Sequence, residues 1–282
     1  SSFKNGPNSL NDTLVRGPNS LNDMLAVTIR FRSYEEAFCF DLAKAYNTMI
    51  TDLTELHLRR FVWRWDENSP WIVYGIDRVH FGDVPAACFL EISKKKTAEL
   101  GKDIDEVAAK KIIEDTYVDD GFTGGNAETV KRIVGEKGED GKYDGTLSQI
   151  LRIGGFEVKE IVIEGDMSQS DHNLMNNTCF GYVYDPKLGM MKVRFTVNLS
   201  KKKRNVRSGP DLTVEDLDKL RTMSLTKRNL LGVTNSFGDF LGLADPFTLR
   251  FKLLMRNLFD REVPLQWDEE IDKELRQDWV EL

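Results

Sequence analysis

The sequence predicts an α+β fold that combines an antiparallel sheet with helices and ends in a mainly helical part. Three observations carry that expectation. Between Arg59 and Val79 the chain alternates aromatic and polar residues, Phe61, Trp63 and Trp65 and then Trp71, Val73 and Gly75, around Asp66-Glu67-Asn68-Ser69-Pro70. That is the pattern of a hairpin with a long loop. A second strand pair, Cys179 to Tyr184 and Met190 to Val197, is joined by the turn Asp185-Pro186-Lys187-Leu188-Gly189. Helical patterns lie between and after these strands, and the 282 residues, 40% of them apolar, are enough to build two domains or one large one.

Taken in order, residues 6–12 read Gly-Pro-Asn-Ser-Leu-Asn-Asp and residues 17–23 repeat them. Two copies cannot make a solenoid, which needs at least three units to bury a core. They read as capped turns leading into a helix over Leu21 to Phe31. The apolar run from Ala37 reads as a strand that ends at Asp41, followed by a helix-favouring stretch. Asp41 is therefore either a carboxylate at a strand end, where chemistry is often placed, or a helix N-cap. Val79-His80-Phe81-Gly82-Asp83-Val84-Pro85 opens a helix from Ala86, an entry that could present backbone N–H groups to a phosphate. Ile112-Ile113 and Tyr117-Val118 read as a strand, with Gly121 and Gly124-Gly125 as turn and restart.

Ala127 to Val134 and Leu147 to Ile153 read as helices, and Phe156 to Ile163 as a strand. Gly135…Gly141-Lys142 is not a phosphate loop, because its gap is one residue too long and Tyr143 stands where Ser or Thr is needed. Beyond Lys201-Lys202-Lys203-Arg204 the character turns helical. Thr213 and Asp216 resemble a capping box, Asp245-Pro246 an N-cap and N1 pair, and Ile271, Leu275 and Trp279 one apolar stripe.

Composition narrows the function classes. A net charge of −7, from 46 acids and 39 bases, is not that of a free nucleic-acid binder, so such a role must rest on local patches such as 201–207. Cys39, Cys88 and Cys179 are far apart, as are His57, His80 and His172, which gives neither a disulfide framework nor zinc-ligand spacing. The composition is of an intracellular type, without a membrane-spanning run or a signal-peptide core.

The chemistry centres on Thr116-Tyr117-Val118-Asp119-Asp120-Gly121. Adjacent carboxylates repel unless a cation sits between them, which suggests a divalent metal; Asp-Asp-Gly by itself is more often a solvated turn. The Asp-x-Asp-x-Asp-Gly spacing of a calcium loop is absent. With Asp41-x-x-x-Ala45-Tyr46 and Phe81-Gly82 preceding it in that order, the chain resembles a reverse transcriptase. Ser9-Leu10-Asn11-Asp12, Phe61-Val62-Trp63-Arg64, Gly154-Gly155-Phe156, Phe240-Leu241-Gly242-Leu243 and Pro246-Phe247-Thr248-Leu249-Arg250-Phe251-Lys252 make it similar to the BEL/Pao class of LTR retrotransposon polyproteins over nearly its whole length.

The resemblance implies a right-hand polymerase palm, an antiparallel, ferredoxin-like sheet with helices. Residues 1–30 would be a remnant of the fingers and residues 31–185 the palm, with a fingers hairpin at 59–79. Residues 186–282 would be a mainly helical thumb or connection. It implies two-metal nucleotidyl transfer with Mg2+, or Mn2+ in its place, held by Asp41, Asp119, Asp120 and the Leu42 carbonyl. Tyr46 would close the space beside the sugar 2′ carbon, and Phe81, Gly82 and Tyr117 would line the nucleotide. Lys159 would be a proton donor to pyrophosphate, and Phe180-Gly181 a primer grip. The implied partners are an RNA or DNA template with its primer, deoxynucleoside triphosphates, and protease, RNase H and integrase segments outside this chain. The implied setting is the cytoplasm, in virus-like particles and not in a membrane. The basic fingertip strand and a protease Asp-Thr-Gly or Asp-Ser-Gly signature are missing, and the space after the thumb is too short for a complete RNase H domain. A domesticated, non-enzymatic remnant that binds nucleic acid is the competing reading.

Overall fold

The computed structural model describes residues 9–163, 178–179, 182–185, 188–193, 224–235, 239, 241–260 and 264–281. The chain divides into two compact units, Ser1–Glu164 and Gly165–Leu282. The strands at 178–185, expected with the palm, therefore fall in the second unit. No helix among the described residues is long and apolar enough to cross a membrane.

The first unit begins with a one-turn helix α1 (Leu10–Thr13) and α2 (Met24–Ser33), which Asp23 caps by accepting the Ala26 N–H. Strand β1 (Glu36–Leu42) follows, then α3 (Ala45–Thr48), a 3-10 helix (Leu53–Leu58) and the ribbon β2 (Arg60–Trp63) and β3 (Ile72–Gly75). Helices α4 (Ala86–Leu100) and α5 (Glu106–Glu114) lead to β4 (Thr116–Tyr117) and β5 (Asp120–Gly125). Then come α6 (Ala127–Val134), α7 (Thr146–Ile153) and β6 (Val158–Ile163).

These form a four-stranded sheet in the order β4-β5-β1-β6, every pair antiparallel. Side chains alternate across a strand. Phe38, Phe40 and Leu42 accordingly enter one cluster with Leu90 of α4, Ile112 of α5, Ile133 of α6 and Ile150 of α7. The alternate positions of β1, Ala37, Cys39 and Asp41, face the other way with Asp120 and Phe122. There α2 packs Phe31 edge-on against Phe122, ring centroids 6.0 Å apart.

Two expectations are corrected here. Ile112 and Ile113 lie in α5, whose N-cap Asp105 accepts the N–H groups of Val107 and Ala108. With Ala108, Ala109 and Ile112 all buried, the helical face outweighs the β-preference of two isoleucines. Asp41 is a strand residue and not an N-cap, since α3 starts after Lys44 in the left-handed region at φ 49°.

In the second unit β7 (Thr178–Cys179), β8 (Tyr182–Asp185) and β9 (Met190–Val193) pair antiparallel. Helices Lys227–Thr234, Asp245–Phe259 and Lys273–Glu281 enclose Leu230, Val233, Met255, Leu258, Ile271 and Trp279. The stripe through Ile271 and Trp279 is thus core. Asp245 is the first helical residue after the cap position Ala244, so this helix begins one residue earlier than expected. The residues 201–207, Thr213, Asp216 and His172 lie outside the described residues.

Candidate active site

Strand pairing brings together acids that are remote in sequence. In the β1–β5 register the Cα of Asp41 faces that of Asp120, and the Leu42 N–H donates to the Asp119 carbonyl at 3.2 Å. Side chains directly opposite in an antiparallel pair share a face, about 5 Å apart at Cβ. Tyr117 pairs with Asp120 across the hairpin, so Val118 and Asp119 form its two-residue tip. Val118 sits at φ 55°, a conformation that costs a β-branched residue about 1–3 kcal/mol and persists only where the surroundings impose it.

The surroundings are specific. Val118 packs on the main cluster, and the Thr116 hydroxyl donates to the Ile112 carbonyl at 2.8 Å. Lys94, 1% exposed on α4, donates to Thr116 Oγ1 at 2.9 Å and pairs with the fully buried Glu91 at 3.0 Å. Burial pulls the Lys94 ammonium downward, and the charge of Glu91 opposes this. Asp115, at the α5–β4 corner, accepts from Arg30 Nε (2.8 Å), Tyr34 OH (2.6 Å) and Thr123 Oγ1 (2.7 Å). Gly121 is required by packing, because a Cβ there would lie 2.0 Å from the Phe40 ring.

The repeated heptad also acts here, a role the sequence pattern did not disclose. Asn22, in the second copy, donates to the carbonyls of Ile113 and Thr116, each at 2.8 Å. Asn11, its equivalent in the first copy, donates to the Gly82 carbonyl at 2.8 Å and accepts the Val84 N–H at 3.1 Å. One asparagine holds the carboxylate hairpin and the other the Phe81-Gly82 turn. The signal available was the repeat itself, since Asn side chains supply both a donor and an acceptor to loop backbone.

Electrostatics follow from this crowding. Burial first, then the charges of Asp119 and Asp41, push the Asp120 carboxyl up to about 7. Asp119 is also raised, mainly by burial and further by Asp41. Lys159 reaches Asp41 Oδ2 at 2.8 Å, and that bond raises the lysine. Tyr46 is raised by burial and by Asp119, and its ring meets Phe81 edge-on at 5.3 Å. Gly82 takes φ 98°, with open space where a Cβ would stand.

The structure thus gathers Asp41, Leu42, Tyr46, Tyr117, Asp119, Asp120 and Lys159 at one sheet end, with Phe81 and Gly82 joined through Tyr46. Phe180 and Gly181 lie outside the described residues. The idea that the α4 entry presents free N–H groups fails for three of them. Those of Asp83, Val84 and Ala86 already donate to His80 O, Asn11 Oδ1 and Asp83 O.

Three mutually repelling carboxylates are the hard oxygen donors that suit Mg2+. Their chemistry fits the ion. Among the described residues, however, no three His, Cys, Asp or Glu side chains are close enough to hold one, and Lys159 occupies Asp41.

No curated protein matches the chain. A solved structure of the foamy viral protease-reverse transcriptase in complex with an RNA/DNA hybrid is 13% identical, with a TM-score of 0.49. The match covers 94% of this chain, which spans 29% of that one. Residues 226–282 match the family model described as Pao retrotransposon-like RNaseH-like domain. An RNaseH-like description thus falls where a thumb or connection was expected and RNase H was placed outside the chain. The match at residues 226–282 supports a BEL/Pao-type retroelement polyprotein region.

Proposed function

We propose that the first unit is an RNA-directed DNA polymerase site of a BEL/Pao-type retroelement, transferring deoxynucleotides to a primer 3′-hydroxyl on an RNA or DNA template. The observation that carries this reading is the β1–β5 register, which sets Asp41 opposite Asp120 beside the Asp119 backbone. When bound, two Mg2+ ions, or Mn2+, would acidify the primer hydroxyl and neutralise the departing pyrophosphate. Asp41 and Asp119 would hold them, with the Leu42 carbonyl as a further ligand and Asp120 as the supporting acid. Tyr46, braced by Phe81, stands against a ribose 2′-hydroxyl and so selects deoxynucleotides by steric exclusion. Gly82 leaves room for the incoming base, and Tyr117 flanks the hairpin. On this reading Lys159 leaves Asp41 and gives a proton to pyrophosphate. Phe180-Gly181 serves as the primer grip.

The test is extension of a primed template with Mg2+ or Mn2+. Asp119→Asn is expected to lower incorporation by about three orders of magnitude or more, as loss of a metal ligand does. Wild-type protein that never extends a primer overturns the enzymatic reading.

A second reading, a non-enzymatic nucleic-acid-binding remnant, is favoured by the Lys159–Asp41 ion pair and the absence of a closed three-ligand group among the described residues. It predicts salt-dependent RNA–DNA binding without incorporation.

A further inference from the structure

The β2–β3 ribbon exposes apolar side chains on both of its faces. Strand alternation sets Phe61 and Trp63 on one face, opposite Tyr74 and Ile72 of β3. The Phe61 and Tyr74 rings stack at 5.5 Å, and Trp65, 75% exposed, continues that face edge-on to Trp63 at 6.4 Å. Val62 and Val73 form the other face, 57% and 61% exposed. Two strands alone are marginal in water, because they bury too little of their own surface.

The outer edge of β2 is open as well. Among the described residues the sheet holds β2 and β3 only. The Ile76 N–H donates to the Arg59 carbonyl at 2.9 Å, so by alternation Phe61 and Trp63 bond inward and the peptide groups of Arg60 and Val62 turn outward. The far edge beyond β3 differs. There the Thr51 N–H donates to Asp77 O and the Val79 N–H to Met49 O, which covers its base. A row of outward peptide groups along β2 is a template for another strand.

Charge narrows what that strand is. Arg59 is spent on Asp83 at 3.2 Å and Glu55 at 3.7 Å, and Arg64 lies over the Trp71 ring at 4.6 Å. Asp66 and Glu67 occupy the tip, so the ribbon offers no basic stripe for a phosphate backbone to follow. The same layout is complementary to itself. Arg60 stands at the base of β2 and the acids at its tip, so a second β2 running antiparallel brings unlike charges together. A two-fold axis at Val62 would set Arg60 opposite Arg64, and like charges repel. An axis at Trp63 instead sets Trp63 opposite Trp63, Phe61 opposite Trp65 and Arg60 opposite Asp66, aromatic on aromatic and cation on anion.

We propose that β2 pairs with β2 of a second copy of this chain, antiparallel about Trp63, so that two ribbons make one four-stranded sheet. Such a contact uses the same patch on both copies and closes at a dimer. It involves none of the carboxylates, so it stands independently of the polymerase reading.

Sedimentation equilibrium of the full chain is expected to show a dimer that dissociates at roughly micromolar concentration, as suits a small interface. Val62→Pro removes an outward N–H that the ribbon itself does not use, and is expected to weaken the dimer about tenfold or more. Under mild oxidation Trp63→Cys is expected to link two copies by a disulfide, since facing residues of a non-hydrogen-bonded pair bring their Cβ atoms within reach. Val62→Cys, which faces Arg64 of the second copy in this register, is expected to link far more slowly. A wild-type chain that stays monomeric up to about 100 µM overturns the proposal. If its tryptophan fluorescence then responds to an oligothymidylate, the ribbon is a nucleic-acid surface instead. A dimer that Val62→Pro leaves intact, or Val62→Cys linking as fast as Trp63→Cys, overturns the proposal too.

Discussion

At the residue scale, Asp120 and Gly121 make opposite demands. A carboxyl raised from the ordinary 3.8 to about 7 binds its proton more readily in the folded chain than in the unfolded one. Stability from this group is therefore full at low pH, and it is lost as pH rises from about 3.8 to about 7. Asp120→Asn is expected to remove that loss. The difference in unfolding free energy between variant and wild type should grow across this window to on the order of 2 kcal/mol, measured by urea titration without metal. A difference that stays flat with pH contradicts the crowding of Asp41, Asp119 and Asp120. For Gly121, whose absent Cβ makes room for Phe40, Gly121→Ala is expected to cost about 1–3 kcal/mol by overpacking. Phe40→Leu in the same chain should make the alanine cheaper, and a double-mutant cycle with no coupling counts against that contact. The acids and the glycine were legible as a motif in the sequence. The reason for the glycine was not, because the Phe40 ring that excludes a side chain lies a strand away.

At the element scale the same asparagine of one repeat has two separate jobs. Asn22→Ala strips a donor from the carbonyls of Ile113 and the buried Thr116, for about 1–3 kcal/mol. It is expected to speed amide exchange at Phe122, whose N–H donates to Asp115 O across this corner. Asn11→Ala should leave Phe122 unchanged and instead speed exchange at Val84. Equal effects of the two variants at both amides would refute the division of labour. Elements with a strong local period were readable: Ala127–Val134 appears where the sequence places it, and the 59–79 hairpin pairs Phe61 with Tyr74. The error at Ile112-Ile113 has a physical cause. A two-residue strand, Thr116–Tyr117, is held by Lys94 and Asn22 from distant elements, so local propensity carries little information about it.

At the scale of the whole molecule, each unit carries its own apolar cluster, around Phe38, Leu90 and Ile150 in one and Leu258 and Trp279 in the other. The carboxylates, Lys94 and Lys159 all belong to the first unit, whereas the residues matching the RNaseH-like family model belong to the second. Damage to one core should therefore be legible separately from damage to the other. Leu258→Ala, at a fully buried position, is expected to cost the second unit about 2–5 kcal/mol while leaving Mn2+ binding at the proposed carboxylate site, read by electron paramagnetic resonance, within twofold of wild type. Leu90→Ala, equally buried in the helix that carries Lys94, is expected to weaken that binding along with the first unit's stability. Weaker binding of Mn2+ in Leu258→Ala, at a temperature where the first unit remains folded, would mean that the carboxylate end needs the second unit to hold its shape. The autonomy inferred from the two separate clusters would then be wrong.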